Sequence, residues 1–129
     1  MTHQPFVRTL TGLTATMTVG EVISSVIIWR EAYPDSQPLF AVAFAALFAV
    51  ATVLLRTGRV PAGALLAEAL CLFEVAAAPA WVHRTLLDWS TQLAFGTVAL
   101  AGVVVAAAVL LIRLRAARAR AAEQIDAGR

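Results

Sequence analysis

The feature that most limits what this chain can become is a series of four apolar runs. Each is close to the length of one membrane crossing, and short loops carrying much of the charge separate them. The runs cover about residues 9–29, 39–55, 61–82 and 93–112. A helix needs about 20 residues to cross a hydrocarbon core about 30 Å thick. Within lipid every backbone N–H and C=O must be bonded internally, so only helices and closed barrels can span it, and apolar runs of this length select helices. Composition agrees: 60% of the 129 residues are hydrophobic and 14% are charged, well away from soluble domains. The pattern predicts an all-α integral membrane protein, a four-transmembrane-helix bundle forming one domain over residues 1–129. Short loops make it antiparallel, running up and down. A cleaved signal peptide is not expected, because the first run is long for one and lacks a small-residue cleavage site.

Arginine placement sets the expected orientation, since short loops rich in Arg stay on the cytoplasmic side. Arg8, Arg56, Arg59, Arg113, Arg115, Arg118 and Arg120 fall on one side, and Arg30 and Arg84 on the other. Both termini are therefore expected to be cytoplasmic, in a multi-pass protein of a bacterial-type inner membrane. Trp29, Trp81, Trp89 and Tyr33 then gather at the opposite interface, where amphipathic rings anchor at headgroup level; Trp29 and Trp81 are also candidates for stacking on a substrate. The arginine-rich tail, residues 113–129, is expected to continue the fourth helix, as Ala and Arg are good helix formers. Arginines near the surface attract anionic lipid by about 1 kcal/mol each.

Other partners and cofactors have little support. The net charge is only +2, with its basic excess in the tail rather than across a face, so no nucleic-acid partner is expected. A lone Cys71 makes no internal disulfide. His83, beside Arg84, reads as interfacial. Zinc would want His or Cys ligands that no other span supplies, and no phosphate loop, paired-His haem site or nucleophile elbow occurs. No cofactor or metal is expected.

The chemistry lies in three intramembrane carboxyls, Glu21, Glu68 and Glu74. In the first helix Thr11, Thr14, Thr18, Glu21 and Ser25 recur at spacings of three and four, which puts them on one face. Gly12, Thr16, Gly20 and Ser24 form a neighbouring stripe of small residues that suits close helix approach. At a rise of about 1.5 Å per residue, Glu21 and Glu74 share a depth about 14 Å from the outer ends of their helices, and Glu68 lies about 9 Å closer to the cytoplasm. Pro79 lacks an N–H and should free the carbonyl of Val75 and kink the third helix. No Arg or Lys lies within a span, so these carboxyls have no counter-ion, and at least some are expected to hold a proton at rest. Ionisable groups inside membranes mark proton and ion pathways. Glu21, Glu74 and Glu68 are accordingly the candidate proton-carrying or catalytic groups, with Thr14, Thr18, Ser25, Trp29 and Trp81 as substrate-binding candidates. The alternative is polar glue, each protonated Glu bonding a hydroxyl on another helix.

Several segments together resemble the small multidrug resistance transporters, four-helix proteins of comparable length. Glu21-Val22-Ile23 is similar to that family's first-helix glutamate and its context, and Pro38 opens the second helix. "VPAGALLA" from Val60 is similar to its third-helix entry. Leu87-Asp88, then Gly96 and Ala101-Gly102-Val103, resemble the approach to and glycine face of its fourth helix. The resemblance implies that Glu21 is shared between protons and a cationic or guanidinium-like substrate. Glu68 and Glu74 stand where the family carries chamber aromatics, and the second helix has no glycine.

Three functions fit the sequence. A proton-coupled carrier of cationic or lipophilic small molecules, expected as a homodimer, would use Glu21 as its exchange site. A membrane-embedded isomerase or cyclase acting on a lipophilic substrate would split the carboxyls into acid and base. A non-catalytic subunit or assembly factor would pair its polar faces with another membrane protein.

Overall fold

The computed structural model describes residues 4–31, 36–80 and 85–129. Tyr33, Trp81, His83 and Arg84 lie outside the described residues. The described chain is all-helical: α1 is Gln4–Arg30, α2 Ser36–Arg56, α3 Val60–Ala77 and α4 Leu86–Ala127, with a short 3-10 turn at Ala78–Ala80 after α3. All four helices are long and apolar enough to cross a membrane. Each packs on the next, α4 closes back on α1, and the diagonal contact between α1 and α3 is slight.

Local chemistry sets the helix ends. Gly58 takes a positive φ of 83°, a conformation costly for any residue with a Cβ. It lets Arg59 N–H reach Leu54 O at 2.9 Å and Gly58 N–H reach Leu55 O at 3.4 Å, a Schellman stop that satisfies the last carbonyls of α2. Pro61 follows in the first turn of α3, where a missing N–H costs nothing. At the other end of α3 the structure departs from a kinked span. The helix stops at Ala77 and Pro79 lies within the 3-10 turn, because proline has no N–H with which to continue the α-helical ladder to Val75 O.

α4 begins earlier than the apolar run suggests. Thr85 Oγ1 accepts from Asp88 N–H at 3.2 Å and Asp88 Oδ2 accepts from Thr85 N–H at 3.1 Å, a capping box that starts the helix at Leu86. From there it continues unbroken through Ala127, so residues 113–127 lengthen the same helix, and all but a few of these are exposed.

The interior is layered. One cluster gathers Val7, Leu10, Ala51, Leu55, Val60, Ala64, Ala67, Ala106 and Val109; a second gathers Met17, Phe48, Leu70, Cys71 and Ala99; a third pairs Ile28 with Ala41. Small residues let the backbones close in. At Gly102 an added Cβ would lie 2.5 Å from Cys71 Sγ, and at Gly20 one would lie 2.6 Å from the Phe95 ring. The small-residue stripe on α1 is thus used unevenly: Gly20 takes a ring, Ser24 is buried, and Gly12 and Thr16 are exposed.

Candidate functional site

Between the second and third layers the helices part around a cavity of about 270 Å³. Phe40 and Phe44 of α2, Phe73 of α3 and Phe95 of α4 supply ring walls, and Glu21, Glu74 and Asp88 supply carboxyl groups. Phe44 and Phe73 face each other with ring centroids 5.0 Å apart. Among its described lining residues there is no Arg, Lys or His.

Glu21 reaches this cavity because α1 buries Val7, Leu10, Thr14, Met17, Glu21, Ser24 and Ile28, a stripe at helical spacing that faces the other helices. Glu74 ends the corresponding buried stripe of α3. Glu21 is 2% exposed and Glu74 8%, and the two neighbouring carboxyls line the same cavity. Two neighbouring buried carboxyls beside phenylalanine rings form the centre of the site.

Asp88 is also buried and its orientation is fixed by the capping box with Thr85. Thr85 Oγ1 in turn donates to Glu31 Oε1 at 3.4 Å, linking the α4 cap to the end of α1. Gln92 lines the cavity beyond Asp88 on α4. Its Oε1 is buried and accepts no hydrogen bond from any described residue.

The structure separates the remaining candidates from this centre. Glu68 is half-buried and does not line the cavity, and its buried Oε2 has no hydrogen-bond partner among the described residues. Thr14 and Thr18 do not line it either. Thr14 Oγ1 accepts from Thr52 Oγ1 at 2.8 Å and donates to Thr11 O at 3.1 Å, while Thr18 Oγ1 donates to Thr14 O at 2.9 Å. Ser25 Oγ donates to Val22 O at 2.7 Å, and Ser24, its neighbour, lines the cavity instead. The hydroxyl face of α1 is therefore spent mostly on carbonyls of its own helix, the usual local alternative for Ser and Thr. Trp29 is 78% exposed and outside the cavity. Trp81 lies outside the described residues.

Reading the sequence as loop up to residue 92 hides Asp88, Thr91 and Gln92. A usable signal is there: Asp88, Gln92 and Gly96 recur every fourth residue, one face of a helix that the Thr85-to-Asp88 capping pattern starts at Leu86. No protein-family model matches the chain, and neither a curated protein nor a solved structure matches it.

Proposed function

We propose that the protein is a membrane carrier that exchanges protons for a small lipophilic cation at the Glu21–Glu74 pair. The observation that carries this reading is the cavity itself, in which two buried carboxyls stand together beside four phenylalanine rings. A cation entering such a site competes with the proton for the same oxygens. With both carboxyls protonated at rest the pair is neutral, and cation in with one proton out keeps it neutral, which avoids the cost of an uncompensated charge in a low-dielectric interior. The rings suit a lipophilic cation, since aromatic faces attract positive charge. The resemblance of the Glu21 segment to the small multidrug resistance transporters points the same way.

In this reading the bundle is antiparallel, with both termini cytoplasmic, in a bacterial-type inner membrane. Its core layers match low residue numbers in α1 with high numbers in α2, as Val7 with Leu55 and Ile28 with Ala41. The arginine-rich loops and tail then lie on the cytoplasmic side, which puts the carboxyl cavity in the outer half. Four helices are few for alternating access, so the carrier works as a homodimer. A second reading draws on the same pair: with one carboxyl protonated and the other ionised, it is the acid and base that an isomerase or cyclase of a lipophilic substrate requires.

Reconstitution into vesicles separates the two. An imposed gradient of a lipophilic amine should drive protons the opposite way, and Glu21→Gln or Glu74→Gln should reduce that flux to the level of protein-free vesicles. Undiminished coupling in Glu21→Gln contradicts the carrier. Conversion of a lipophilic substrate, lost in Glu74→Gln, assigns the enzyme instead.

A further inference from the structure

The carboxyl pair explains why a cation would enter the cavity but not which kind of cation. Gln92 bears on that question. It follows Asp88 by one turn of α4 and precedes Gly96 by one turn, and all three line the cavity. Its Oε1 is buried and receives no hydrogen bond from any described residue, whereas most buried polar side-chain atoms have a partner. The charged groups that line the same cavity, Glu21, Glu74 and Asp88, are carboxyls and therefore predominantly acceptors.

A site rich in acceptors, with one carbonyl oxygen left over, is completed by a ligand that brings positive charge and N–H donors together. A primary ammonium carries three N–H donors. A quaternary ammonium carries the same charge and none, and would seal Gln92 Oε1 away from both water and any donor. The phenylalanine rings do not discriminate, since they attract either cation.

We infer that Gln92 determines specificity, accepting an N–H from the bound cation and selecting lipophilic primary ammonium ions over their quaternary counterparts. The inference rests on the cation-carrier reading of the cavity. Gln92 acts through the ligand's donors, while Glu21 and Glu74 balance the charge.

Phenethylammonium and its N,N,N-trimethyl derivative test this, because they share the aromatic body and the charge and differ in donors. Binding of each to the full-length protein in detergent is measured by calorimetry. The primary ammonium should bind about tenfold more tightly, the effect of one unsatisfied buried acceptor. Gln92→Leu, close in volume and without the acceptor, should weaken the primary ammonium about tenfold and leave the quaternary ion nearly unchanged, so that the preference disappears. Gln92→Glu keeps an acceptor and should keep the preference. Equal binding by the unaltered protein overturns the inference. So does a preference that survives in Gln92→Leu, which would mean that size rather than hydrogen bonding selects. If both cations bind and Glu21→Gln abolishes both, the carrier reading stands whatever Gln92 does. If neither binds, the cation reading falls with it.

Discussion

Gly96 and Gly102 stand on the same helix, less than two turns apart, and have opposite surroundings. A Cβ at Gly102 would strike Cys71 Sγ at 2.5 Å, while one at Gly96 would meet nothing within 4 Å. They mark the two halves of the bundle. Around and below Gly102 the core is built of small residues, Ala51, Ala64, Ala67 and Ala106 among them, and the backbones close together. Around Gly96 the positions pointing inward are held by phenylalanines and carboxyls, which keep the helices apart. The layer of Met17, Phe48, Leu70, Cys71 and Ala99 divides the two. The same four helices thus make a closely packed half and a half with a polar-lined cavity, and the difference lies in side-chain size at the positions that face inward. Van der Waals packing between close backbones supplies the adhesion that a hydrophobic effect cannot supply in lipid, so the closed half holds the bundle while the open half is left for chemistry.

That contrast can be broken by mutation. The largest effect is expected from Gly102→Ala, which overpacks the α3–α4 crossing and should destabilise the protein by about 1–3 kcal/mol. A lower thermal unfolding midpoint in detergent would register it. Adding Cys71→Ala to the same chain removes the opposing sulfur and should recover most of the loss. Gly96→Ala, by contrast, should leave the midpoint unchanged or raise it, because alanine favours a helix over glycine by up to about 1 kcal/mol. Equal losses at the two glycines would erase the distinction between the halves. A smaller effect is expected at Thr52, whose Oγ1 donates to Thr14 Oγ1 across α1 and α2 in the closed half. Thr52→Val should cost about 0.6 kcal/mol, the size of an interhelical hydrogen bond in a membrane protein, and leave cation binding unaltered.

How much of this can be read in the chain differs between its parts. Four membrane-length helices follow from apolar run length, and the inward placement of Glu21 follows from helical spacing on α1. The meeting of Glu21 with Glu74 is consistent with their matching depths, though depth alone leaves the angle about each axis open. The hydroxyls misled for a local reason. Thr18 and Ser25 share a face with Glu21, yet each hydroxyl bonds a carbonyl of its own helix, an outcome that side-chain spacing does not distinguish from a polar lining. Gln92 and Asp88 were hidden for another reason. Hydropathy begins the fourth span at residue 93, whereas the capping box begins the helix at Leu86 and carries three polar residues, Asp88, Thr91 and Gln92, into the cavity wall. Glu68 looks equivalent to Glu74 in composition, but an offset of about 120° around α3 takes it away from the pair.

The central claim is that a cation and a proton compete for the Glu21–Glu74 pair, and proton release on binding tests it most directly. Phenethylammonium is added to the purified protein in weakly buffered detergent solution, and the protons appearing in solution are counted against cation bound. The account predicts release of about one proton per cation, since the buried site must keep its charge, and no release from Glu21→Gln. Cation binding with no proton release from the unaltered protein, or with undiminished release from Glu21→Gln, would contradict it.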